Sequence, residues 1–201
     1  MRKAEVRRVT RETRIELSLS LDGSGQTRIT TGVGFFDHML DALCRFGMLD
    51  LDARCDGDLN VDAHHTVEDV GLCLGQAIGE ALGEKRGVRR AAHAFIPMDE
   101  ALAFAAVDLS GRPFLQWDWG GGGPDAPPPD INVGAMPARL FEEFFRAVCQ
   151  KAGLTCHIRV TGRNAHHMLE AVCKAFGRSL DDAKRVDERQ ADIIPSTKGV
   201  L

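Results

Sequence analysis

Two stretches decide how this chain is read: Asp62-Ala63-His64-His65-Thr66-Val67-Glu68 and Asn164-Ala165-His166-His167-Met168-Leu169-Glu170. Each is an HHxxE cluster preceded by alanine and leading into an apolar helix, and the second follows the first at a separation of 102 residues. Upstream, Asp37-His38-Met39-Leu40 has a counterpart in Glu142-Glu143-Phe144-Phe145 at an offset of 105, and Cys44 matches Cys149 at the same offset. A polar cluster that repeats together with its approach points to an internal duplication of helix, strand, loop and helix.

The flanking periodicities supply the other elements. Residues alternate from Glu5 to Leu21, with Ile15, Leu17, Leu19 and Leu21 on one face, and Asp22-Gly23-Ser24-Gly25 offers a turn before a strand around Thr27 to Thr31. The chain is therefore expected to open as a β-hairpin. Phe36 to Phe46 has helical period, Leu49 to Cys55 is a strand, and Thr66 to Leu82 is a helix with Val67, Val70, Leu74 and Ile78 at intervals of three and four. Phe95 to Asp108 reads as two short strands joined near Met98-Asp99-Glu100. Gly120 to Pro129 forms neither helix nor central strand, and is expected to be the loop that joins the halves. Beyond it, Pro137 to Ala152 is helical, Thr155 to Thr161 is a strand, His167 to Lys184 is a helix, and the tail from Asp187 is irregular.

With 201 residues, 44% of them apolar and 27% charged, and a formal net charge of −4, the composition is that of a soluble globular protein. The acidic balance disfavours a nucleic-acid partner. Six cysteines (Cys44, Cys55, Cys73, Cys149, Cys156, Cys173) are scattered without a CxxC pair, which suits reduced core thiols. The N-terminus has no signal-peptide core, and no apolar run approaches the roughly 18 residues of a membrane span. No membrane partner and a cytoplasmic location are expected.

On a helix, residues four apart share a face, so His64 with Glu68, and His166 with Glu170, each aim an imidazole and a carboxylate at one point. His65 and His167 project roughly 100° away around the helix, so each pair contributes one ligand to each of two ions. With His38 and its counterpart Glu143, the potential donors are His38, His64, His65, Glu68, Glu143, His166, His167 and Glu170. Imidazole and carboxylate without thiolate select manganese, iron or zinc, with manganese preferred. Helix-end acids are favourable in any protein, which explains one cluster but not a matched pair. His93 and His157 read as structural groups outside the site. Arg90, Arg112, Arg163 and Lys198 adjoin glycine or a motif, and Pro195-Ser196-Thr197-Lys198-Gly199 combines two hydroxyls, a lysine and a flexible glycine, so together these residues make a candidate phosphate cradle.

Over nearly its whole length the chain resembles the imidazoleglycerol-phosphate dehydratase family. The resemblance is carried by Arg11-Glu12-Thr13, Gly32-Val33-Gly34-Phe35-Phe36-Asp37-His38-Met39-Leu40, Asp62 to Asp69, Pro97-Met98-Asp99-Glu100-Ala101-Leu102, Gly162 to His167 with Glu170, and Pro195 to Gly199. It implies an α+β fold in one domain over residues 1–201, made of two similar halves of about residues 1–90 and 91–190 and a C-terminal substrate-binding tail. Each half would be a small, mostly antiparallel or mixed sheet with two helices, the helices sandwiched between the sheets. It also implies a homo-oligomer of trimers assembled into a 24-subunit shell, with active sites at subunit interfaces.

The same resemblance implies two manganese ions per site, one held by His38, His65, His167 and a carboxylate or equivalent, the other by His64, His166, Glu170 and a further donor. Glu68 is the matching carboxylate of the first cluster, Glu12 lies near the reacting carbons, and Arg90, Arg112, Ser196 and Lys198 match positions that hold substrate phosphate. Three features depart from the family pattern. Glu143 stands where some members have a histidine ligand, Ala42 and Phe46 stand where Gln and His are expected, and the loop at Gly120 to Pro129 is unusual in composition.

The implied reaction removes water from D-erythro-imidazoleglycerol phosphate, a small phosphorylated imidazole, to give imidazole-acetol phosphate in histidine biosynthesis. The C2 hydrogen is not adjacent to a carbonyl, so another electron sink is required. The substrate's own imidazole serves if a metal stabilises its imidazolate, which then expels the C3 hydroxyl. Glu12, Glu170 and Glu68 are the candidates for handling the C2 proton. The same donor set would also suit a binuclear metallohydrolase of a phosphorylated small molecule, which would release phosphate. A metal-stabilised shell without chemistry would leave the Ser-Thr-Lys tail without a use.

Overall fold

The alternating N-terminal run forms two strands in the computed structural model, which describes residues 2–120 and 131–201. Strand β1 (Lys3–Val9) pairs antiparallel with β2 (Thr13–Ser20) across a turn at residues 10–12. The hairpin is thus one turn earlier than expected, because Thr10-Arg11-Glu12 carries no glycine or proline to mark it. The turn is closed instead by the Thr10 hydroxyl, which accepts the N–H groups of Glu12 at 3.1 Å and Thr13 at 2.9 Å. The expected turn at Asp22–Gly25 leads to β3 (Thr27–Thr30), which does not pair with β2.

Helix α1 (Gly34–Gly47), strand β4 (Asp50–Gly57) and helix α2 (His64–Leu82) follow. β4 pairs antiparallel with β2 and parallel with β3, giving a sheet of order β1-β2-β4-β3. The second half repeats this plan. Strands β5 (Ala91–Met98), β6 (Ala101–Asp108) and β7 (Phe114–Asp118) come first, then a two-stranded ribbon of β8 (Asn132–Val133) and β9 (Met136–Pro137). Helix α3 (Leu140–Ala152), strand β10 (Thr155–Thr161) and helix α4 (Ala165–Lys184) complete it. Its sheet, β5-β6-β10-β7, has the same order and the same parallel edge.

The fold is the expected α+β class. The chain passes from one sheet to the other between α2 and β5, at residues 83–90, so the Gly/Pro-rich segment expected to join the halves is an insertion after β7. Apart from Gly120 it lies outside the described residues. Strand β7 and the ribbon are not legible in the sequence, since two to five residues are too few to establish a period.

The helices lie between the sheets. α2 packs on β1 and β2 and against α3, while α4 packs on β5 and β6 and against α1, so each helix pair joins one half to the other. The close approach is set by glycine. A Cβ at Gly75 would stand 2.5 Å from the Val148 carbonyl oxygen, and one at Gly177 would collide with the carbonyl of Leu43. These two contacts are related by the duplication, since Gly177 follows Gly75 by 102 residues and Val148 follows Leu43 by 105. Phe36, Phe141, Phe144, Phe145 and Phe176 are fully buried between the sheets, where each contributes about 2–3 kcal/mol of apolar transfer free energy. All six cysteines are buried and unpaired. Among the described residues no helix is long and apolar enough to cross a membrane.

Candidate active site

Both HHxxE clusters begin a helix, and in both the residue two positions before the first histidine accepts its N–H. Asp62 accepts the His64 N–H at 2.7 Å, and Asn164 accepts the His166 N–H at 2.9 Å. The first turn holds the two histidines of each pair at diverging directions, their ring planes at 88° in one pair and 85° in the other.

One group of donors is already assembled. His38 from α1 and His166 and Glu170 from α4 have ligand atoms all within 4.8 Å of one another. Glu170 Oε2 lies 3.2 Å from His166 Nε2 and 3.4 Å from His38 Nε2. Glu170 is buried, and burial opposes its ionisation. A hydrogen bond from Lys174, at 2.7 Å, and the charges around it outweigh that penalty and hold the carboxyl below its ordinary range. An ionised carboxylate facing two imidazoles is a donor set for a borderline divalent ion, so these residues fit one.

The other donors have partners of their own. His64 Nε2 is 3.5 Å from Glu68 Oε2. His65 Nδ1 meets Asp58 at 3.0 Å while its Nε2 lies 3.7 Å from Glu12. His167 Nδ1 meets Glu100 at 2.9 Å, with Nε2 3.8 Å from Asp99. The hydrogen bonds to Asp58 and Glu100 raise both imidazoles above their ordinary pKa, and the bond from His167 draws Glu100 down to about 2. Glu143 sits on α3 with an ion pair to Arg146 at 3.5 Å. Within one chain, therefore, His38 keeps company with His166 and Glu170, a different grouping from the one the resemblance implies.

The hairpin carries Glu12 to His65, a proximity that no local pattern reveals. Asp69, on α2, locks it there: its carboxylate accepts the Thr13 hydroxyl at 2.5 Å and the Arg8 guanidinium at 2.9 Å. Neither Asp69 nor Lys174 is among the site residues expected from the sequence. Spacing offered a signal for Lys174, which stands one helical turn after Glu170. It also lies 5.4 Å over the Phe46 ring, so the apolar residue that departs from the family pattern has a role as its seat.

The proposed phosphate residues form a separate cluster. Arg90 donates to Asp108 at 2.7 Å and to the Pro195 carbonyl at 2.8 Å, which ties the tail to the second sheet. Arg112 lies 4.0 Å from Asp108, and the Ser196 hydroxyl accepts the Lys198 N–H at 3.2 Å. This cluster is at the Ala91 and Asp108 ends of β5 and β6, whereas Glu100 and His167 are at the Met98 and Ala101 ends. An eight-residue strand separates them, which at about 3.3 Å per residue is roughly 23 Å. His93 and His157 are on the outer face of the same sheet, away from the histidine pairs but lining one pocket with Asp108, the partner of Arg90.

A family model described as imidazoleglycerol-phosphate dehydratase matches residues 31–180. Relatives of that name from Acetivibrio thermocellus and Gluconacetobacter diazotrophicus are 54% and 53% identical, each over 100% of this chain and over 99% and 98% of their own lengths. The solved structure of the Staphylococcus aureus enzyme is similar with a TM-score of 0.80 at 37% identity, covering 92% of this chain and 99% of that one. The Pyrococcus furiosus structure gives 0.80 at 31%, covering 98% and 100%.

Proposed function

The chain belongs to the imidazoleglycerol-phosphate dehydratase family, hydro-lyases of histidine biosynthesis, and from that premise we propose how it removes water from imidazoleglycerol phosphate to give imidazole-acetol phosphate. The reading is of two manganese ions per site. His38, His166 and Glu170 would hold one, and the observation that carries this is the convergence of their ligand atoms within 4.8 Å. His64 and Glu68, with Glu143 as the duplicate of His38, would supply donors for the other, and His65 and His167 would complete the two ions, one each.

When bound, the ions supply Lewis-acid charge that makes the substrate's imidazole an acceptable electron sink. The chain's own groups do the rest. Glu12, Glu68 and Glu170 are the carboxylates able to take the C2 proton and return one to the C3 hydroxyl as it leaves, after which the enol tautomerises to the ketone. Glu12 has the support of its place beside His65 at the free end of the hairpin. Arg90, Arg112, Ser196, Thr197 and Lys198 would hold the phosphate.

A site that needs both clusters cannot be completed by one chain, because about 23 Å separate them along the strands. We therefore propose a homo-oligomer, a 24-subunit shell in keeping with the family resemblance, with sites at subunit interfaces. The outer face of the second sheet supports this: Phe95 and Phe114 are 61% and 52% exposed there, a cost that a subunit contact removes. A cytoplasmic location accords with six unpaired thiols.

The deciding experiment is turnover of imidazoleglycerol phosphate by metal-stripped protein with and without manganese, following ketone and free phosphate together. Manganese-dependent ketone without phosphate is expected. Phosphate release without ketone would point to the metallohydrolase instead.

A further inference from the structure

In each half the second histidine of the pair has one ring nitrogen tied to a carboxylate and the other facing out. His65 Nδ1 lies 3.0 Å from Asp58 Oδ2, and His167 Nδ1 lies 2.9 Å from Glu100 Oε2. The carboxylates are not duplicates of one another. Asp58 directly follows β4, and the residue at the corresponding place after β10 is Arg163. Glu100 sits in the β5–β6 turn, where the first half has Glu12 in the β1–β2 turn. The same contact is thus made from two different elements.

We propose that Asp58 and Glu100 are positioning residues that accept the Nδ1–H of His65 and His167, fix each ring's tautomer and rotation, and leave Nε2 as the nitrogen offered to a metal. The inference rests on the two-ion reading above. A carboxylate near neutrality can only accept, so Nδ1 carries the proton, and in the neutral ring, the form that binds a metal, Nε2 keeps the lone pair. Both free nitrogens face a further acidic group, Glu12 at 3.7 Å and Asp99 at 3.8 Å. The orienting carboxylates are themselves anchored. The Asp58 N–H donates to the Glu12 carbonyl at 3.0 Å, and Glu100 Oε1 accepts the N–H groups of Arg163 at 3.2 Å and Asn164 at 2.8 Å. A ligand histidine held in this way keeps its direction before the ion arrives, and loss of such a partner costs about 10–100-fold in metal affinity.

The test pairs a reading of the rings with a reading of the metal. Solid-state ¹⁵N spectra of metal-free, histidine-labelled protein, at a pH above the histidine titrations, report the tautomers, and a manganese titration reports affinity. Wild-type protein is expected to hold His65 and His167 as Nδ1–H. Asp58→Ala and Glu100→Ala should each release one ring to the other tautomer and weaken manganese binding about 10–100-fold. Asp58→Asn and Glu100→Gln, whose carbonyl still accepts, should retain the tautomer and most of the affinity. Unchanged tautomers in the alanine variants overturn the proposal whatever the metal does, and so do changed tautomers with unchanged affinity. Expected tautomers in a wild-type protein that does not bind manganese would overturn the two-ion reading and the role assigned here with it.

Discussion

Arg7 faces Glu16 across β1 and β2, and at the corresponding place in the second half Phe95 faces Phe104 across β5 and β6. Along the same rows, Glu5, Ser18 and Asp52 correspond to His93, Ala106 and His157. The two sheets share strand order and register, so their inner faces answer to one packing problem, the helix layer between them. Nothing inside constrains the outer faces, and these have diverged into a charged ladder on one sheet and an aromatic patch on the other. A solvated face tolerates the first; the second is the face on which the proposed subunit contact would form.

The sharpest way to break this comparison is to make the second face resemble the first. Phe95→Asp combined with Phe104→Asp is expected to abolish assembly, read as particle mass by light scattering, while Arg7→Asp at the matching place leaves the mass unchanged. Loss of assembly in both, or in neither, would show that the outer faces do not differ in this respect.

Next in size is the contrast between the two carboxylates that stand near the clusters. Glu170 is buried and in contact with two histidines, whereas Glu143 is half-exposed and paired with Arg146. Glu170→Gln should lower kcat by about 10²-fold or more, the scale of an acid–base or ligand carboxylate, and Glu143→Gln by a smaller factor of about tenfold, since its carboxylate is shared with Arg146 and glutamine keeps an oxygen donor. Equal losses would mean that the second cluster gathers Glu143 as tightly as the first gathers His38.

The inner faces make the opposite prediction, equality. Gly75→Val and Gly177→Val insert bulk against duplicated carbonyls, and each should cost about 1–3 kcal/mol in urea unfolding. A difference larger than that range would show that the two helix crossings are not energetically equivalent.

The smallest effect concerns an arginine clasp that the two halves build on different carboxylates, Arg2 on Asp22 and its duplicate Arg90 on Asp108. Asp22 accepts from Arg2, which also donates to the Lys184 carbonyl at 2.8 Å, while Ser110 stands at the corresponding place in the second half. The bond from Arg2 lowers the Asp22 carboxyl from 3.8 to about 2. Its contribution is therefore full above pH 3.8 and lost as the pH falls through about 2. For this partly exposed pair, Asp22→Asn should destabilise by no more than about 1 kcal/mol at neutral pH. In melting curves taken across the range, the difference from wild type should vanish toward pH 2.

Much of the site was legible in the linear pattern. The HHxxE repeat located both helix starts, and the offset of 105 linked His38 to the second copy of its element. Strand β10 and helices α1 and α2 followed from periodicity because burial on one face leaves a period of two or 3.6 in the sequence itself. The turn at residues 10–12 was not legible, since its closure depends on a side-chain hydroxyl rather than on glycine or proline. The role of Asp69 is not legible either, because its partners, Arg8 and Thr13, are about sixty residues away.

By itself the sequence determined the class of fold, the duplication, the types of donor and the family. Those properties are written in local spacing and in residue chemistry, which do not depend on where distant segments meet. Only the tertiary structure decided that His38 joins His166 and Glu170 across α1 and α4, that Glu12 reaches His65, that two unrelated carboxylates meet the second histidines, and that the tail is tied down a strand's length from His167 and Glu100. Each of these is a contact between elements far apart in the chain. Such contacts are set by how glycine-spaced helices cross between two sheets, and one-dimensional periodicity carries no record of that crossing.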